Sequence, residues 1–77
     1  MTQIFPRIVQ DKSLLAGKPV VAGTRIAVEQ IIGHLADGWT EEAILNNYPQ
    51  LGIDDIRACL AYAHRVLQSG NPAQSAA

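Results

Sequence analysis

The stretch "GKPVVAGTRIAVEQIIGHLADG", residues 17–38, decides the fold. In its first half, Pro19-Val20-Val21 and Arg25-Ile26-Ala27-Val28 flank Ala22-Gly23-Thr24. A three-residue connection with glycine predicts a hairpin with a bulge, and a sharp bend is equally allowed. Pro19 has no amide hydrogen, so it belongs at a strand start or on an edge. From Val28 the period changes. Val28, Ile31, Ile32, Leu35 and Ala36 recur at i, i+3, i+4, i+7 and i+8, the stripe of an amphipathic helix. Gly38 is a suitable C-terminal stop. The stretch therefore predicts short strands followed by a helix over 28–37.

Upstream, "RIVQ" (7–10) reads as a brief strand and "DKSLLAGK" (11–18) as a turn, with Gly17 as its turn residue. Downstream, "GWTEEAILNNYP" (38–49) predicts a second helix. Thr40 is its N-cap, because a threonine hydroxyl accepts an orphan amide hydrogen. Glu41 and Glu42 then sit on the positive end of the helix dipole. Position 43 is alanine, so the full capping box is absent. Trp39 and Ile44 fall at the positions of a hydrophobic staple, and Asn46-Asn47 and Pro49 end the helix. "LGIDDIRACLAYAHRVLQ" (51–68) predicts a third helix, with Gly52 as a tolerable N-cap and Asp54 and Asp55 in the first turn. Leu51 and Ile56 repeat the staple spacing. Ile53, Ile56, Leu60, Ala63 and Leu67 are spaced 3, 4, 3, 4, a seam suited to packing on another helix. That seam leaves Arg57, Ala58, Ala61, Tyr62, His64 and Arg65 on the outer face.

The expected fold is thus mostly α, with a short N-terminal β arm or hairpin ahead of a three-helix core. Residues 1–68 form one domain; "SGNPAQSAA" (69–77) is small and polar and is expected to be a flexible tail. The chain has 77 residues and 48% of them are hydrophobic. A core this small is marginal alone, and Cys59, the single cysteine, allows no intrachain disulfide. A homodimer is the expected solution, with a well-packed monomer as the alternative. No run approaches the ~20 apolar residues of a membrane span. A cytoplasmic location is expected, since a lone thiol suits a reducing compartment.

The pieces "GKPVVAGTRIAV", "TEEAIL" and "YPQLGIDDIRACLAYA" together resemble a small prokaryotic family, that of domain of unknown function 433. Members read G(K/R)PV-x-x-GTRI-x-V, then a helix ending in glycine, then (T/S)-x-E-E-I-L, then YP-x-L-T-x-E-D-(I/V)-x-x-A-L-x-Y-A. The match covers about residues 7–64, most of the chain. The resemblance implies a β arm and three helices, the last two forming a helix-turn-helix-like, homeodomain-like unit. It also implies an antitoxin-like role, commonly beside a PIN-like ribonuclease. One departure is Gly52, where the family usually has threonine; it weakens the cap on the third helix.

The residues themselves exclude several chemistries. The Walker A order is absent, as is G-x-G-x-x-G, so residues 17–28 are no phosphate loop. His34, Cys59 and His64 are the only soft ligands, and Cys59 and His64 point to different helix faces, so no metal is expected. Glu41/Glu42 and Asp54/Asp55 are adjacent residues at helix starts, where the dipole explains them. No catalytic residue, enzymatic activity or cofactor is expected.

Charge divides the chain. Arg7, Lys12, Lys18 and Arg25 against Asp11 give residues 1–28 a net +3. Arg57 and Arg65 against Glu29, Asp37, Glu41, Glu42, Asp54 and Asp55 give the rest −4. A recognition helix places its N-terminal turns in the major groove, and here those turns carry two aspartates. Any operator DNA contact is therefore expected through the arm: Lys18, Thr24 and Arg25, with Arg7 and Lys12 on phosphates. Arg25 has an alternative role, pairing with Glu29. The partner-binding candidates are Arg57, Ala58, Ala61, Tyr62 and Arg65, because small residues permit close approach and Tyr and Arg are common anchors. The leading expectation is an antitoxin that binds a PIN-like ribonuclease toxin, with operator DNA as a second target. The alternatives are a stand-alone DNA-binding regulator and a protein-interaction module without DNA.

Overall fold

The computed structural model describes residues 1–70. Three strands come first: β1 (Thr2–Phe5), β2 (Ile8–Gln10) and β3 (Val20–Val21). They form one antiparallel sheet in the order β1-β2-β3. Pro6 and Arg7 turn β1 into β2, with Arg7 at φ +68°, the left-handed backbone that a tight turn places after proline. Thr2 faces Gln10 and Phe5 faces Ile8, with a bulge between Gln3 and Phe5. β1 lies outside the strands that residues 7–28 predict.

The expected pairing of residues 19–21 with 25–28 is present as one antiparallel bridge, in which Val21 donates to the Ile26 carbonyl and Val28 to the Pro19 carbonyl, each at 3.0 Å. The bridge joins Val20 to Ala27, and the ladder partner of β3 is β2. The bend is closed by side chain as well as backbone. The Thr24 hydroxyl donates to the Val21 carbonyl at 2.8 Å and accepts from the Ile26 amide at 3.0 Å. Residues 11–18 are a turn, as expected, with a short 3-10 segment over Leu15–Gly17.

Helices α1 (Val28–Ala36), α2 (Glu41–Asn47) and α3 (Ile53–Gly70) follow within a residue or two of the expected bounds. α1 ends in a Schellman motif. Gly38, at φ +94°, donates to the Leu35 carbonyl at 3.1 Å, and Trp39 donates to the His34 carbonyl at 3.0 Å. Trp39, at the staple position ahead of α2, stacks on the His34 ring, 4.1 Å between centroids. The His34 Nε2 and the Tyr48 hydroxyl lie 2.9 Å apart, and Gln30 donates to the same hydroxyl at 2.8 Å. These side chains tie α1 to the end of α2.

Thr40 caps α2 as expected: its Oγ1 accepts from the Ala43 amide at 3.0 Å. The weak cap at Gly52 is reinforced from within α3. Asp55, three residues on, accepts the Gly52 amide hydrogen at 2.9 Å, which is half of a capping box. α3 continues through Ser69 and Gly70, two residues past the expected end. The Ser69 hydroxyl donates to the Arg65 carbonyl at 3.0 Å. The rest of the expected tail, 71–77, lies outside the described residues.

The core gathers both halves. Ile8 and Val21 from the sheet, Ile31 from α1, Ile44 from α2, and Ile56 and Cys59 from α3 are all buried within one cluster. Leu51 joins Ile56 there, consistent with the staple expected of that pair. No helix among the described residues is long and apolar enough to cross a membrane.

Candidate interaction surface

The basic arm is half neutralised by the chain itself. The Arg7 guanidinium contacts Asp55 at 3.1 Å and Asp54 at 3.7 Å. Its left-handed backbone aims the side chain off the hairpin and onto the start of α3. Lys18 pairs with Glu29. Glu29 is thus taken by Lys18, not by Arg25 as the alternative reading had it. Thr24 has its hydroxyl engaged in the bend.

Arg25 and Lys12 are in no ion pair among the described residues. They line two neighbouring surface hollows, and Asp11 lines both. The Ser13 amide, and then the Ser13 hydroxyl, donate to Asp11 and hold its carboxyl below the usual carboxylate range. An ionised carboxylate therefore stands beside the two remaining cations. The aspartates at the start of α3 are likewise occupied, one as a cap and both by Arg7.

The faces of α3 differ from those the 3.5-residue seam suggests. Ile56 and Cys59 are buried, and Tyr62 packs edge-on against Phe5, 5.6 Å between centroids. Ala58 is also buried. Of the expected outer face, Ala58 and Tyr62 are therefore corrected to inward-facing positions, while Arg57, Ala61 and Arg65 are exposed. Arg65 sits 5.9 Å from the Phe5 ring centroid. Conversely, the seam residues Leu60 and Leu67 are 44% and 55% exposed. The helix packs on α1, α2 and β2, with Phe5 against Tyr62, so it buries one arc and leaves the seam along its margin.

Burial pushes the Cys59 thiol up to about 11, with the Asp55 charge adding to the effect. A protonated, enclosed thiol is a packing group rather than a nucleophile. Among the described residues no group of three or more His, Cys, Asp or Glu side chains is placed to hold a metal ion.

An apolar trough of about 490 Å³ lies between α1 and α3. Ile32, Gly33 and Ala36 line one side, and Ala63, Val66 and Leu67 the other. The Lys18–Glu29 pair sits at one end. Sequence reasoning missed this feature, although Val66 lies at i+3 from Ala63 and i+4 from Tyr62. The helical spacing of Tyr62, Ala63 and Val66 marks a second apolar arc beside the seam.

Comparison with known proteins agrees with the fold. A family model described as "Protein of unknown function (DUF433)" matches residues 8–63. The uncharacterized protein y4eO of Sinorhizobium fredii is 34% identical over 56 residues, covering 73% of this chain. The match spans only 25% of y4eO. The crystal structure of a DUF433 member protein from Anabaena variabilis superposes with a TM-score of 0.75 at 26% identity. That alignment covers 88% of this chain and 62% of the other. With the family's model spanning most of its length, this chain belongs to the DUF433 family.

Proposed function

We propose that the chain is a protein-binding module of the antitoxin type, acting in the cytoplasm on a PIN-like ribonuclease, and that it holds this partner through the α1–α3 trough. One observation carries the reading: a trough of about 490 Å³, lined almost entirely by aliphatic side chains, which no described residue fills. Exposed apolar surface on a small domain is characteristic of a contact site. Support also comes from y4eO, in which the matching unit makes up a quarter of a longer chain, as suits a portable module. The arm supports DNA binding less well, since Arg7 and Lys18 are paired and Asp11 flanks the remaining cations. A two-fold dimer belongs to the same reading; β1 is an edge strand, with Ile4 exposed on it. The reading assigns the chain no catalysis.

Co-expression with a PIN-like ribonuclease from the same cell tests it. The ribonuclease is expected to co-elute with the tagged chain and to lose RNA cleavage in its presence. Val66→Glu with Leu67→Glu is expected to abolish both effects. Co-elution unchanged in that variant removes the trough from the reading; no co-elution with the unaltered chain overturns it.

A further inference from the structure

The trough and its margin also define what kind of chain they hold. Arg57, Leu60, His64 and Leu67 are spaced 3, 4, 3 along α3, and all four are exposed. That spacing places them in one stripe. Leu60 and Leu67 belong to the 3.5-residue seam, the repeat of a helix packed along another helix. Within the described residues no helix covers it. Beside the stripe runs the trough, with the small residues Gly33, Ala36 and Ala63 among those lining it. Along α1 it extends from Val28 to Ala36, about 12 Å at the helical rise, or two turns. Two turns match the i, i+3 or i+4, i+7 anchors of an amphipathic helix laid in a groove.

Charge selects among helices. On the α3 margin the stripe carries Arg57 and His64 and no carboxylate. On the α1 margin Glu29 is neutralised by Lys18. The nearest acids on α3, Asp54 and Asp55, are held by Arg7. Seated about a two-fold axis on this stripe, a second copy of this chain would bring Arg57 against the same margin, with no carboxylate to meet it. An acidic flank is the complementary one.

We propose that the α1–α3 trough and the leucine stripe beside it dock one amphipathic helix of a partner protein, apolar on one face and acidic along its flank. The proposal rests on reading the chain as a protein-binding module.

The probe is a synthetic amphipathic peptide of about 18 residues, long enough to be helical. It carries leucine at the seam positions and glutamate beside them, and a twin carries lysine in place of glutamate. Fluorescence anisotropy with the full chain at low salt reads the binding. The acidic peptide is expected to bind saturably and the lysine twin about tenfold or more weakly. Leu67→Glu is expected to weaken the acidic peptide at least about tenfold. Arg57→Glu is expected to reduce or reverse the preference between the twins. The helical circular dichroism of each variant establishes that it is folded.

Failure of the acidic peptide to bind, equal binding of the two peptides, or indifference to Leu67→Glu overturns the proposal. So does a dimer in analytical ultracentrifugation that Leu67→Glu dissociates, because a second copy then occupies the surface. If the peptide fails while the ribonuclease still co-elutes, only this inference falls. If the ribonuclease fails while the peptide binds, the antitoxin reading falls and the docking surface stands.

Discussion

Asp55→Ala tests the joint between arm and helices most directly. One Asp55 oxygen accepts the Gly52 amide hydrogen at 2.9 Å, and the other takes Arg7 at 3.1 Å. The side chain is only 15% exposed, so water replaces neither bond easily. A lost cap bond costs about 1 kcal/mol. A lost charge in the first helical turn costs about 0.3–1 kcal/mol more. Arg7 is half exposed, so its share is screened and is worth about 0.2–1 kcal/mol. Alanine's better helix propensity offsets a few tenths of a kcal/mol. The net expectation is a loss of about 2 kcal/mol, or roughly 10 °C in melting temperature for a domain of this size. Asp55→Asn keeps an acceptor for Gly52 but loses the charge, so about 1 kcal/mol is expected. Asp54→Ala, which removes only the longer contact, should cost under about 0.5 kcal/mol. Urea unfolding followed by circular dichroism measures all three. Asp55→Ala and Asp54→Ala with equal, small losses would refute the assignment of Asp55 as both cap and clamp. A double-mutant cycle with Arg7→Ala isolates the clamp, and its coupling is expected not to exceed about 1 kcal/mol.

Three further outcomes follow from the same geometry. Gly38→Ala forces an L side chain into a left-handed backbone at φ +94° and should cost about 1–2 kcal/mol in urea unfolding. For Cys59, burial raises the folded thiol to about 11, above its ordinary 9.0. Its contribution to stability is complete below pH 9 and is lost as pH rises towards 11, because the unfolded thiol ionises first; Cys59→Ala should show a flatter fall in urea stability over that window than the unaltered chain. If the arm binds DNA, Arg25→Ala and Lys12→Ala should weaken a gel shift and reduce its salt dependence, while Arg7→Ala and Lys18→Ala should change it little; the reverse order refutes the pairing of Arg7 and Lys18 in solution.

The helices were legible because their signals are local. The switch of period at Val28, the hydroxyl of Thr40 and the stop at Gly38 each act within one or two turns of chain. β1 was not, since "TQIF" has a single alternation and gains its strand only by pairing with β2. The orientation of α3 was misjudged for the same reason. Two apolar arcs lie side by side on that helix, and the elements packed on it, α1, α2 and β2, decide which is buried. The candidate cations suffered a related fate. Their clustering in the first 28 residues is visible in the sequence, but their partners Glu29, Asp54 and Asp55 lie in the other half. The trough escaped notice because it is a gap between helices, and spacing along one helix does not report where its neighbour diverges.

The Arg7–Asp55 contact spans 48 positions of sequence. During synthesis Arg7 therefore leaves the ribosome several seconds before Asp55, at about 5–20 residues per second. For that interval the hairpin exists without the helix that anchors it, and Ile8 and Val21 lack the cover of Ile56 and Cys59. The arm is made before the helices and secured only after them, so its uncharged β1 edge is most open to wrong pairing while the chain is still being translated.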